Sequence, residues 1–342
     1  MPRPHQHHLG GTLVPLSVLD LSPVAASSTP RQAILDSVAL ASACDALGYT
    51  RYWVAEHHNM ASIATSAPEV LIAHIAASTS RIRVGAGGIM LPNHNPLRVV
   101  EIFRTLEALH PGRIDLGLGR APGTDPVTAS ALRRGAADDP NERLADLLDF
   151  ANGEFPEGHP FRGVIPMPSD VPLPPIWMLG STLEGATIAA ALGLRYAFAG
   201  HFAMRNAAAA IATYRRQFRP SAGLPSPHAM LAVTVVCGAD DEEAARLAAP
   251  IRVAIVKNRT GRRAPIAGIE EALAYAFTPE ERAIADEFLR GAIIGGPQRV
   301  SEGLTVLARD SGADELMVST LVPDRDARLR SYERVSRVAG LS

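Results

Sequence analysis

Glu56-His57-His58, Gly87-Gly88, Gly119-Arg120 and Gly180-Ser181-Thr182 are the stretches whose residue types could do chemistry. Two histidines beside a carboxylate suit proton transfer, because an unperturbed imidazole titrates at about pH 6.5. In an extended strand Glu56 and His58 share one face, and His57 takes the other. Adjacent histidines on opposite faces are poorly placed to ligate one metal, and no third ligand follows at a suitable spacing, so no metal is expected. The cluster reads equally as an acid/base group or as packed structural polar residues. His201 is a weaker candidate of the same kind.

Arg120 follows the run Gly117-Leu118-Gly119. A guanidinium meets a phosphate through two parallel hydrogen bonds, and the alternative is a salt bridge at the rim of the fold. Ser181-Thr182 at a helix start favours the phosphate, since hydroxyls and helix N-terminal amides make an anion site. The spacing from Gly117 to Gly123 is G-x-G-x-x-x-G with Pro122 inside, which fails as a dinucleotide fingerprint. Gly87 and Gly88 lie in a run of small residues, where something must approach the backbone closely. His5, His7 and His8 suit a frayed polar terminus better than a metal site.

Positioning these groups falls to alternating strands and helices. Residues 81–91 are apolar and β-friendly. Asn95-Pro96 then starts a helix, and Val99, Val100, Phe103, Leu106 and Leu109 place an apolar stripe along it. His110-Pro111-Gly112-Arg113 turns the chain into a second strand at 114–119. This is a βαβ unit, whose strands should be parallel and buried. Further strands are expected at 14–19, 51–56, 176–180, 195–199, 230–236 and 315–319. Helices are expected at 30–47, from 66, and over 95–109, 141–150, 181–191, 205–218, from 297 and over 328–339. Eight strands alternating with helices predict an α/β fold of the (β/α)8 TIM-barrel type, as one domain over residues 1–342. Residues 152–175 hold seven prolines and should run extended over the surface. Residues 240–290, broken at Pro265 and at Thr278-Pro279, read as a helical insertion between strands seven and eight and as the natural lid. The candidate residues all fall at strand C-terminal ends, where such barrels carry their chemistry.

Bulk properties narrow the class. A formal charge of −2 offers no electrostatic reason to bind nucleic acid or an anionic membrane. No apolar run approaches the roughly 18 residues of a membrane span. The beginning MPRPHQHHLGG lacks the apolar core of a secretory signal. Cys44 and Cys237 make neither a disulfide framework nor a zinc spacing. A cytoplasmic location is the expectation.

RYWVAEHHNM (51–60), residues 83–125 and PIWMLGSTLEGATIAAALGLRYAFA (175–199) closely resemble the bacterial-luciferase-like flavin monooxygenases, in the branch called luciferase family oxidoreductase group 1. The resemblance covers nearly the whole chain. It implies a (β/α)8 barrel with a helical insertion, a homodimer formed through the second and third helices, and FMN bound at the strand C-termini. Arg120 matches the arginine that grips the FMN phosphate. Ser181 and Thr182, with Gly180 before them, match the phosphate-side residues, although luciferase has a glutamate where Ser181 stands. Gly87-Gly88 matches a non-prolyl cis peptide beneath the isoalloxazine ring. His57 matches the catalytic histidine, with Glu56 and His58 as its neighbours. The implied activity is a two-component, FMN-dependent monooxygenase that oxygenates a small organic substrate with O2. With no reductase domain or NAD fingerprint in the chain, reduced FMN would come from a separate NAD(P)H-flavin reductase. The alternatives are a deazaflavin-dependent dehydrogenase or reductase, and a non-catalytic flavin-binding protein. Aldehyde, sulfonate, alkane and polyketide substrates all remain open.

Overall fold

Eight parallel strands close on themselves in the computed structural model, which describes residues 14–133 and 139–341. His5, His7 and His8 lie outside the described residues. The strands are β1 (Leu16–Asp20), β2 (Arg51–Val54), β3 (Arg83–Ala86), β4 (Ile114–Gly119), β5 (Ile176–Gly180), β6 (Arg195–Phe198), β7 (Ala229–Cys237) and β8 (Glu315–Ser319). Each pairs with the next, and the seam closes with Leu16 of β1 opposite Leu316 of β8. The expected (β/α)8 barrel is the observed one.

Local chemistry explains the crossover helices. Asn95 caps the helix Pro96–Leu109 by accepting from the Leu97 and Arg98 amides, with proline at the first position. Val99, Val100, Phe103 and Leu106 bury that helix against the barrel. Thr29 caps the helix Pro30–Ala46 in the same way. Between β7 and β8 come the helices Asp241–Arg259, Ile269–Leu273 and Pro279–Phe288, the last opened by a capping box of Thr278 and Glu281.

Several elements differ from expectation. The third strand is not continuous over 81–91: it stops at Ala86, the Gly87-Gly88 peptide is cis, and Ile89–Met90 then pairs only with β4. A helix over Pro126–Leu132, a short one over Gly200–Ala203 and a strand over Ile293–Gly295 escaped the periodicity reading, since each is too short to show a period. The last of these extends the end of β7, with Val235 opposite Ile293.

The barrel interior is filled at its floor by charged and aromatic side chains. At the floor Arg51 bridges Asp115 and Glu315 at 2.9 Å each, Arg83 reaches Asp115 at 2.7 Å, and Ser17 donates to Glu315. Burial alone would raise the Asp115 carboxyl, but the charges of Arg51 and Arg83 outweigh it and hold the group below its ordinary value. Above this layer Trp53 meets Trp177 edge-to-face at 5.3 Å, and its indole N–H donates to Asp115. Gly85 leaves the space Trp53 fills, since a Cβ there would lie 2.8 Å from the indole nitrogen. The same apolar cluster takes in Ala55, Ala197 and Ala232 together with the larger Leu19, Leu21 and Leu179.

The insertion is fastened over the mouth. Ile266 exchanges backbone hydrogen bonds with Val24 and Ala26 after β1. Arg263 pairs with Asp125 after β4 at 2.9 Å, and Glu287 pairs with Arg205 after β6 at 2.7 Å. Among the described residues no helix is long and apolar enough to cross a membrane.

Candidate active site

Two groups of polar residues flank the mouth, one at the ends of β4 and β5 and the other at the ends of β2 and β3. On the first side Arg120 follows β4 directly, and its half-buried guanidinium donates to Glu184 at 3.0 Å. Glu184 stands in the first turn of the helix Leu183–Ala191, which follows β5. Thr182 caps that helix through the Gly185 amide, and Tyr196 donates to the Thr182 carbonyl at 3.2 Å. The Ser181 hydroxyl carries no partner among the described residues. A guanidinium with one solvent-exposed partner, a free hydroxyl and the first-turn amides of a helix form a donor set that fits a phosphate. Gly180 keeps this corner narrow, because a Cβ would sit 3.3 Å from the Tyr196 ring.

On the second side Glu56 is fully buried just past β2. Its Oε1 accepts from His58 Nε2 at 2.8 Å and from Asn93 Nδ2 at 3.2 Å. Its Oε2 accepts from the Met90 amide at 2.7 Å and from His94 Nε2 at 2.9 Å. Glu56 therefore ties β2 to the backbone that resumes after Gly87-Gly88. Burial alone would raise its carboxyl, and the hydrogen bond and charge of His94, then the Met90 amide and His58, hold it below the ordinary value. His94 moves the opposite way: burial would lower it, but the bond to Glu56 and the charges of Glu56 and Glu69 raise it. A carboxylate can only accept, so both histidines carry their proton on Nε2.

Between Glu56 and His58 in the chain stands His57, past the end of β2. Its Nδ1 is buried without a partner, and burial pushes its pKa down to about 4. His201, in the short helix after β6, has the same two properties, with burial and the nearby His57 lowering it to about 4. At neutral pH both rings are uncharged. Gly87 and Gly88 lie against the barrel wall: a Cβ on Gly87 would meet Leu19 at 2.7 Å, and one on Gly88 the Gly117 carbonyl at 2.8 Å. Only glycine lets the backbone run this close at the base of the mouth. Among the described residues no group of three or more His, Cys, Asp or Glu could hold a metal ion.

Residues 14–315 match the family model described as luciferase-like monooxygenase. The chain belongs to that family. A luciferase-like monooxygenase of Escherichia coli (strain K12) is 40% identical over 323 residues, covering 94% of this chain and 95% of the relative. An N-acetyl-S-alkylcysteine monooxygenase of Bacillus subtilis (strain 168) is 33% identical, covering 95% and 98%. The crystal structure of apo-MsnO8 superposes with a TM-score of 0.86 at 37% identity, covering 97% of this chain and 99% of that one. The oxygenating constituent of 3,6-diketocamphane monooxygenase, solved with FMN, and an F420-dependent secondary alcohol dehydrogenase share the fold at TM-scores of 0.71 and 0.67. The enzyme class read from the resemblance, a flavin-dependent monooxygenase, rests on this membership.

Sequence reasoning placed Arg120, Ser181 and Thr182 together and paired Glu56 with His58. It missed His94, Asn93 and Glu184. The run Pro92-Asn93-His94-Asn95 carried a signal, since only Asn95 and the following proline are spent on capping, but nothing local tied His94 to a carboxylate 38 positions away.

Proposed function

We propose that this protein is an FMN-dependent monooxygenase of the two-component kind, taking reduced FMN from a separate NAD(P)H-flavin reductase and oxygenating a small organic substrate with O2. The observation that supports the reading is the Arg120 guanidinium paired across to the first turn of the helix that Thr182 caps, in a luciferase-like barrel. When bound, the flavin supplies the electrons that activate O2. The chain's own residues do the rest. Arg120, Ser181, Thr182 and the helix behind them hold the phosphate, with Gly180 leaving room. Gly87 and Gly88 would let the flavin approach the backbone closely, and Glu56 fixes that stretch through the Met90 amide. His57, uncharged at neutral pH with its Nδ1 buried and unpartnered, is the group assigned to exchange a proton. Glu56 orients His58 beside it. The insertion closes the mouth and excludes water.

The protein would work in the cytoplasm as a homodimer. The exposed apolar side chains of Val70 and Leu109, on the second and third helices, support that face. The name of the Bacillus subtilis relative makes S-alkylated amino acids the first substrates to assay.

Anaerobic titration with reduced FMN tests the proposal. Binding at micromolar concentration is expected, and Arg120→Ala should weaken it about tenfold or more while the melting temperature holds. Failure of the wild type to bind reduced FMN refutes the function. Unchanged affinity in the variant removes Arg120 from the phosphate site. Mass measurement of flavin released on denaturation separates FMN from a deazaflavin.

A further inference from the structure

We propose that Glu184 is a built-in competitor for the Arg120 guanidinium and so sets how tightly the site holds a phosphomonoester. This rests on the reading of Arg120, Ser181 and Thr182 as the phosphate site. Arg120 Nη1 and Glu184 Oε1 lie 3.0 Å apart, but the two side chains are unequally placed: 21% of the Arg120 side chain is exposed against 70% of Glu184. The guanidinium is the more buried partner, whereas the carboxylate can swing into water at little cost. Such a half-exposed ion pair is a weak tie, worth at most about a fivefold change in an equilibrium. A phosphate dianion brings more charge, together with the free Ser181 hydroxyl and the helix amides, and it displaces the carboxylate.

Glu184 also stands where the helix Leu183–Ala191 favours negative charge, so one carboxylate answers both positive features of the site. The incoming phosphate must outcompete it for both. The result is a site that prefers a phosphorylated flavin yet releases it readily. That behaviour suits a flavin passed between two proteins rather than one held permanently.

The test is the Kd of oxidised FMN and of riboflavin, read from flavin fluorescence, for wild type, Glu184→Gln, Arg120→Ala and the double variant. At low salt Glu184→Gln should tighten FMN about two- to fivefold, leave riboflavin unchanged, and lose its effect when Arg120 is absent or in high salt. Unchanged or weaker FMN binding in Glu184→Gln overturns the proposal. So does an equal gain for riboflavin, which lacks the phosphate. A wild type that binds FMN and riboflavin equally overturns the phosphate reading itself. That result is distinct from a wild type that prefers FMN but does not respond to Glu184→Gln.

Discussion

Replacing Glu56 with glutamine asks how much the second side of the mouth depends on one carboxylate. Each oxygen accepts two hydrogen bonds: Oε1 from His58 and Asn93, Oε2 from the Met90 amide and His94. Glutamine keeps one oxygen and presents an NH2 group to the other pair of donors. Glu56 itself is fully buried and its donors are partly so, and each bond lost to a charged acceptor costs about 1.5–3 kcal/mol before any rescue by water. A histidine recovers part of this by changing tautomer and accepting from the new amide. The expected loss is about 2–4 kcal/mol. For 342 residues unfolding with about 2.1 cal/mol/K each, that is a fall of roughly 3–6 °C in Tm.

Urea unfolding and thermal melting measure that loss, and the pH profile adds a second constraint. The Glu56 carboxyl is held below its ordinary value of 4.5, so its contribution is complete above that pH and is lost as pH falls through the lower folded value. His94 is raised above 6.5, so its pairing contributes fully below 6.5 and is lost as pH rises through the higher folded value. The gap between wild type and variant should therefore be widest between pH 4.5 and 6.5. A variant within about 0.5 kcal/mol of wild type throughout that window would refute the reasoning.

Three other outcomes follow. Gly117→Ala would put a Cβ 2.0 Å from the Ala86 carbonyl oxygen, where neither strand can yield, so a loss above about 3 kcal/mol or an insoluble chain is expected. An unaltered melting curve would contradict the packing of β3 on β4. Asp115→Asn leaves Arg51 and Arg83 short of their shared counter-charge and should cost about 3–5 kcal/mol in urea unfolding, against no change if the floor were solvated. Histidine-labelled NMR should show His57 titrating at about 4 and neutral at pH 7, and a midpoint near 6.5 would show that the ring is not desolvated.

What could be read from the chain was whatever local chemistry encodes. Asn95-Pro96 announced a helix because a cap and a first-position proline act within three residues, and both do so here. Glu56 and His58 do meet, but in the loop past β2 rather than by strand alternation, since the strand expected over 51–56 ends at Val54. The barrel followed from counting alternations, so it tolerated errors of a few residues at element ends. Contacts between distant segments were not legible. His94 and Glu184 acquire their roles from partners 38 and 64 positions away, on other elements. The charged floor was hidden for a related reason: Arg51, Arg83, Asp115 and Glu315 sit in or at the start of strands that otherwise read as apolar, and only closure turns them toward one another. The break in the third strand was legible only through the resemblance, since an isolated Gly-Gly pair is compatible with many backbones.

That floor makes the eighth strand a keystone. Ser17 and Glu315 are 298 positions apart, and Arg51 and Glu315 are 264 apart, yet both pairs meet in one buried layer. A chain stopped before residue 315 would be a seven-staved cup, open at the seam, with Arg51 and Arg83 sharing the one carboxylate of Asp115. The first four strands carry Arg51 and Arg83 against the single floor acid Asp115, so their interior charge is balanced only when Glu315 arrives with the last strand. Removing the C-terminal strand should unravel the whole molecule rather than fray one edge.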